Sequence, residues 1–203
     1  MVSPFTWPTA KAKAEDNLEL TSSARATLRT LQLQISLCMN LQILVGTMSG
    51  NAESVAQAIQ MDCADLVESI DVTLMDNVDL SVFDEDRAQH TLYLICSSTY
   101  GSGDVPDNAQ ALLSAFSADP RYLGHVYYGV IALGDESYGD TFAGGGRKFD
   151  AALQDVGAHR VLDLFIHDAC SDVIAEEAGV AWCREWLPAA LAAHPVNQAA
   201  NAA

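Results

Sequence analysis

Leu41-Gln42-Ile43-Leu44-Val45-Gly46-Thr47-Met48-Ser49-Gly50-Asn51-Ala52-Glu53-Ser54-Val55-Ala56 is an apolar run, a loop of small residues and the start of a patterned segment, in that order. The apolar run suits a short strand buried on both faces. Beyond the loop, Ala52, Val55, Ala56, Ile59 and Cys63 recur at helical spacing, which places them on one face of a helix that packs on the sheet. A buried strand that leads through a tight loop into an amphipathic helix opens a parallel, helix-covered sheet.

Further apolar runs at 72–75, 92–96, 126–133 and 161–165 alternate with helical stretches. This inventory predicts an α/β fold: a doubly wound, five-stranded parallel sheet of order 2-1-3-4-5 in a three-layer α/β/α sandwich. Ligands of that topology bind at the carboxyl ends of strands 1 and 3. Toward the end, Val180, Cys183, Leu187 and Leu191 form an apolar helical stripe flanked by Trp182 and Trp186, with Pro188 and Pro195 marking its approaching stop. Gly144-Gly145-Gly146 disfavours helix, so the helix after the fourth strand is expected to start near Arg147.

The chain has 203 residues and a formal charge of −17. Half its residues are apolar, and no apolar run approaches the ~20 residues of a membrane helix. The reading is a soluble globular protein whose surface repels nucleic acid and anionic lipid and attracts basic proteins. Residues 1–38 hold four basic and three acidic side chains, so the negative charge belongs to the part from Met39 onward. Residues 1–38 form an N-terminal extension, with Met39 the preferred natural start over a targeting peptide. The domain is assigned to 39–193 and an Ala-rich tail to 194–203. Five cysteines without a C-x-x-C pair suit a reducing compartment such as the cytoplasm. His167-x-x-Cys170 has no second pair of matching spacing, and no metal is expected.

Three loops carry the chemistry. In the first, Gly46-Thr47-Met48-Ser49-Gly50-Asn51-Ala52, small residues let N–H groups and the Thr47, Ser49 and Asn51 side chains converge in front of a helix N-terminus. That arrangement suits a phosphate; equally, the loop is an ordinary strand-to-helix turn with a capping side chain. It lacks a lysine and the G-x-x-x-x-G-K-[ST] pattern, which favours a monophosphate over a triphosphate with Mg²⁺. The second loop, Ser98-Thr99-Tyr100-Gly101-Ser102-Gly103-Asp104, sets a flat aromatic face beside a pliable peptide. The third, Gly134-Asp135-Glu136-Ser137-Tyr138-Gly139-Asp140-Thr141-Phe142, supplies a second exposed aromatic. Each alone reads as a surface turn, but the three follow predicted neighbouring strands and so form one site.

These residues resemble the flavodoxins. Thr47-Met48-Ser49-Gly50-Asn51-Ala52 meets the first-loop pattern T-x-[ST]-G-x-[TA]. Residues 98–104 are similar to the second FMN loop of MioC-like flavodoxins and of the FMN domains of diflavin reductases, and 134–138 to the third. The resemblance spans 41–191 and implies a short-chain flavodoxin with FMN as cofactor. It implies that Thr47, Ser49, Gly50, Asn51, Ala52 and Ser98 surround the phosphate, with Met48 in the same loop. Thr99, Tyr100 and Gly101 line one ring face, Tyr138 stacks on the other, and Asp135 stands near the pyrimidine edge. Gly103, Asp104, Gly134, Gly139 and Phe142 complete the implied site. Ala52 replaces a frequent Thr, and Gly139 with the glycine run leaves the register around Asp140 and Phe142 open.

The implied function is a low-potential one-electron carrier, without catalytic residues of its own, between a separate NAD(P)H-dependent reductase and an acceptor enzyme. Both partners would dock through basic faces onto a monomer. The Gly101 carbonyl would turn to accept the N–H formed at N5 on one-electron reduction, and Asp104, Asp135 and Glu136 would disfavour the anion that a second electron creates. The alternative is a flavodoxin-fold NAD(P)H:quinone or FMN reductase. A phosphoreceiver domain is set aside, because Thr47 and Ser97 stand where its acidic residues belong.

Overall fold

The computed structural model describes residues 39–196. The expected extension 1–38 and the end of the tail lie outside the described residues. In chain order the elements are β1 (Asn40–Gly46), α1 (Asn51–Asp62), β2 (Ser69–Leu74), α2 (Glu85–Ala88), β3 (Thr91–Ser97), α3 (Asp107–Ala118), β4 (Tyr127–Gly134), α4 (Gly144–Asp155), β5 (His159–Arg160), β6 (Phe165–Asp168) and α5 (Ala175–Ala193). All the pairings between strands are parallel, in the order β2-β1-β3-β4-β5, with β6 also paired to β4. This is the expected 2-1-3-4-5 sheet, its fifth place shared by two short segments.

Alternation along the central strands sends side chains to opposite faces. Leu41, Ile43 and Val45 of β1 and Leu92, Leu94 and Cys96 of β3 join one cluster with the apolar faces of α1 and α5. Leu44 of β1 and Tyr93 and Ile95 of β3 join the other, with α3 and α4. Both faces are covered, which is why these strands read as continuous apolar runs.

Several sequence expectations change. β2 begins at Ser69 rather than at 72 and runs in register with β1 from Asn40↔Ser69 to Val45↔Leu74. As an edge strand it carries Ser69, Asp71 and Thr73, so its polar half gives no apolar run. Most of the run at 161–165 is not strand. β4 pairs Tyr127 with His159 but Ile131 with Phe165, so the fifth place holds two extra residues. The intervening chain absorbs them at Leu162, which takes a left-handed φ of 61°. Trp186, beside the apolar stripe of the last helix, is fully buried and lies over Gly129 of β4, where a Cβ would come within 2.5 Å of Nε1. Pro188 does not stop that helix, which continues to Ala193 because Leu187 and Ala190 on its inner face are buried.

The largest departure is the glycine run. α4 starts at Gly144, not near Arg147. Intrinsic propensity is overridden by proximity: a Cβ on Gly144 would stand 2.5 Å from the Gly103 carbonyl oxygen, one on Gly145 would run into the Ser98 carbonyl, and one on Gly146 into the Ala132 side chain. The run lets the first turn of α4 lie directly on the second loop and on β4. We expect Gly146→Ala to cost about 1–3 kcal/mol through overpacking, read as a lower urea midpoint with unchanged slope.

His194, which the sequence reading placed in the tail, is 2% exposed and packs its ring against Tyr127 at 5.1 Å. Its Nε2 donates to the Ala88 carbonyl at 3.2 Å, and its buried Nδ1 has no partner among the described residues. Burial holds this imidazole below its ordinary range. The unfolded chain therefore takes up the proton first as pH falls. Stability is full above the unfolded value of about 6.5 and declines below it. In His194→Leu the difference in unfolding free energy between about pH 8 and about pH 5 should shrink relative to the parent; an equal difference refutes the assignment.

Candidate functional site

The carboxyl ends of β1, β3, β4 and β6 open onto a cavity of about 810 Å³. Its first wall is the loop after β1. The Gly46 carbonyl accepts from the N–H and the Oγ of Ser98 at 2.9 and 3.1 Å, tying the first loop to the second. Asn108 of α3 braces the loop from beneath: Oδ1 accepts from the Thr47 N–H at 3.0 Å while Nδ2 donates to the Val45 carbonyl at 3.2 Å. The Thr47 hydroxyl accepts from the Gly50 N–H at 3.0 Å, closing a turn in which Gly50 has φ 89°. Among the described residues no side chain caps α1, so its first N–H groups lack the usual partner beside Ser49 and Asn51, which line the cavity.

The second wall is the loop after β3. Tyr100 and Asp104 exchange both backbone hydrogen bonds at 2.8 Å, pinching a turn with Gly101 at φ 52° and Gly103 at φ 87°. Thr99 Oγ1 donates to the Leu133 carbonyl at 3.0 Å and accepts from the Gly145 N–H at 3.2 Å, which locks this loop between β4 and α4. Tyr100 is left 52% exposed on the wall, and a Cβ on Gly101 would meet nothing within 4 Å. Gly101 is therefore glycine for its backbone conformation, not for packing room.

The third wall is the 3-10 segment Glu136–Thr141, capped by Asp135, whose Oδ1 accepts from the Ser137 N–H at 2.8 Å. That hydrogen bonding holds the Asp135 carboxyl below its ordinary range. Gly139, at φ 55°, kinks the segment, and Tyr138 is 64% exposed on the wall. Asp168 fastens the next segment alongside, its Oδ1 accepting from the N–H groups of Glu136 and Cys170, each at 3.0 Å. Asp135, Asp168 and Cys170 present ligand-type atoms within 4.8 Å of one another, and His167 is not among them. The Cys170 thiol donates to Asp135 at 3.5 Å, and that contact raises its pKa.

The cavity thus gathers Met48, Ser49, Asn51, Ser98, Thr99, Tyr100, Gly101, Gly134, Asp135, Tyr138 and Phe142 of the sequence-predicted residues. Thr47, Gly50, Ala52, Gly103, Asp104 and Gly139 are not on its wall. Thr47 and Gly50 shape the first loop, Ala52 is buried under it, and Gly103 touches α4. Asp104 faces Lys148 at 2.6 Å.

A fourth wall went unforeseen: His167, Ala169 and Ser171–Glu176, with Val173 and Ile174 exposed. The signal was the rule that ligands gather at strand carboxyl ends, but the fifth strand was ended at 165 instead of 168. Asn108 was missed as the brace because its role lies in a contact 61 residues away. Among the described lining residues Asp135, Asp172 and Glu176 are acidic, none is Lys or Arg, and His167 alone can become positive.

The flavodoxin family model matches residues 43–182. Flavodoxin YqcA of Escherichia coli is 34% identical over 144 residues, covering 71% of this chain and 93% of that protein. The sulfite reductase [NADPH] flavoprotein alpha-component of Vibrio parahaemolyticus is 36% identical over 138 residues, 68% of this chain and 21% of that longer protein. Among solved structures, a cysteine-to-alanine mutant of flavodoxin from Pseudomonas aeruginosa superposes with a TM-score of 0.61 at 34% identity, covering 75% of this chain and 99% of that one.

The brace under the first loop is directly testable. Asn108→Ala removes both of its hydrogen bonds and should lower stability by about 1–2 kcal/mol. Amide exchange at Thr47 and Gly50 should accelerate more than in the core of β3; uniform acceleration would show that Asn108 has no local role.

Proposed function

The chain belongs to the flavodoxin family, and on that footing we propose that it is a low-potential one-electron carrier. It would pass electrons from a separate NAD(P)H-dependent reductase to an acceptor enzyme. Its cofactor is FMN, which when bound supplies reversible electron uptake and release. The observation that carries the reading is the pairing, in one cavity, of an uncapped helix N-terminus rich in neutral donors with two half-exposed tyrosines.

The donor set fits the cofactor. Ser49, Asn51 and the free N–H groups opening α1 would hold the phosphate, a dianion, by hydrogen bonds and the helix field rather than by a lysine. Tyr100 and Tyr138 would cover the ring, their flat faces excluding water. Gly101, at φ 52° with open space around its Cα, would let its carbonyl turn toward the ring edge at little cost. Thr99, held to the Leu133 carbonyl and the Gly145 N–H, would keep that loop in place as it does so. Asp135, Asp172 and Glu176 place negative charge along the wall, which opposes accumulation of electrons and favours a low potential.

Partners are read from charge. A chain of −17 attracts proteins with basic faces and speeds their encounter, as a shuttle requires. Among the described residues no helix is long and apolar enough to cross a membrane. Cys63, Cys96, Cys170 and Cys183 are free thiols, which agrees with a cytoplasmic setting. Among the described residues the cavity offers no Lys or Arg for the phosphates of a pyridine nucleotide, so nothing described in it favours a reductase that takes NAD(P)H directly.

Ser49→Glu sets a carboxylate where the phosphate would lie. The parent, mixed with FMN and gel-filtered, should elute yellow, and the variant at least tenfold poorer in flavin with unchanged circular dichroism. A parent that never retains FMN refutes the carrier, whereas equal retention by both refutes the phosphate placement.

A further inference from the structure

Cys63, Cys96 and Cys183 share one half of the core, on the sheet face away from α3 and α4. There α1 and α5 lie side by side: a Cβ on Gly179 of α5 would stand 2.7 Å from Val55 Cγ1 and 3.9 Å from Ile59 Cδ1 of α1. Cys63 follows Ile59, and Cys183 follows Gly179, by one helical turn, so both thiols stand at the next level of the same seam. Both are fully buried, and the Cys183 thiol donates a hydrogen bond to the Cys63 sulfur. Arg184 closes the seam beside them, donating to the Asp62 carbonyl and meeting Asp65 Oδ1 at 3.4 Å.

We propose that Cys63 and Cys183 form a modification site, a dithiol that a hydroperoxide converts into a disulfide between α1 and α5. The Cys63 sulfur attacks the peroxide O–O bond and keeps one oxygen as a sulfenic acid, while the other oxygen leaves as water. The Cys183 sulfur then displaces that hydroxyl, which departs with the Cys183 proton as a second water. Two thiols and one hydrogen peroxide become one disulfide and two waters, the sulfurs giving up the two electrons that the peroxide gains. Small-molecule thiols reverse the step by exchange. The thiolate is the attacking form, and the hydrogen bond from Cys183, with the Arg184 guanidinium nearby, holds Cys63 below the ordinary thiol range. Donating that bond raises Cys183, burial pushes Cys96 up to about 12, and Asp135 raises the exposed Cys170. Cys63 is also the residue at which α1 ends, so opening of the last helical turn admits a small oxidant.

The test treats the intact protein with hydrogen peroxide, alkylates the remaining thiols, digests without reductant and maps the peptides by mass spectrometry. A peptide pair joined through Cys63 and Cys183, and lost after dithiothreitol, is expected. In Cys183→Ser the sulfenic acid should persist on Cys63, where a cyclic 1,3-dione captures it. In Cys63→Ser, capture at Cys183 should be about tenfold lower. Oxidation confined to Cys96 or Cys170, with Cys63 and Cys183 still open to alkylation once unfolded, overturns the site. Equal capture in the two variants overturns the order of attack. The parent's peptide map decides the first point even where a variant does not fold, and neither result depends on bound FMN.

Discussion

Close approach of backbone to backbone, at positions where a side chain would not fit, sets the geometry on which the rest of this protein depends. α4 meets the second loop through Gly144 and Gly145 and meets β4 through Gly146, while Gly129 makes room for the Trp186 indole on the opposite face of the sheet. With those distances fixed, the Gly145 N–H reaches Thr99, Thr99 reaches the Leu133 carbonyl, and the loop that carries Tyr100 is held from both sides. The cost is helix propensity over the first turn of α4, of order 1 kcal/mol for each glycine relative to alanine. The return is a frame beneath the second loop held from both sides, with open space around the Cα of Gly101.

Much of the fold was legible because strands covered on both faces announce themselves as unbroken apolar runs, and β1, β3 and β4 do so. β2, at the edge, exposes its alternate residues and so was read too short. The glycine run misled for a different reason: propensity describes an isolated segment, whereas Gly144 to Gly146 answer to atoms from Ser98, Gly103 and Ala132 that are distant in sequence. The same blindness hid Asn108, an ordinary helix residue until its two bonds to β1 and the first loop are seen. The three loops were legible as a set, since their residues follow neighbouring strands. The wall from His167 to Glu176 was not, because its composition carries no loop motif and the strand before it is broken.

Charge ties the cavity to the surface. Side chains that hold their charge by local hydrogen bonding, as Asp135 does through Ser137, also shape the 3-10 segment bearing Tyr138. Asp168 fastens the walls in turn by receiving N–H groups from both neighbouring segments. Part of the negative field around the opening thus comes from residues that also fasten its walls. Neutralising either would move the walls as well as the potential, so electrostatics and architecture here cannot be varied independently.

The break at Leu162 acts as a splice between two halves of the sheet edge. Below it, His159 pairs with Tyr127 and Arg160 meets the buried Asp150 at 2.8 Å. Above it, Phe165 to Asp168 belong to the cavity. Because the register is already reset there by two residues, further residues inserted at this point would loop outward from the edge without shifting either half. The sheet edge is therefore the place where such a chain can lengthen and acquire new contacts while its binding chamber stays the same.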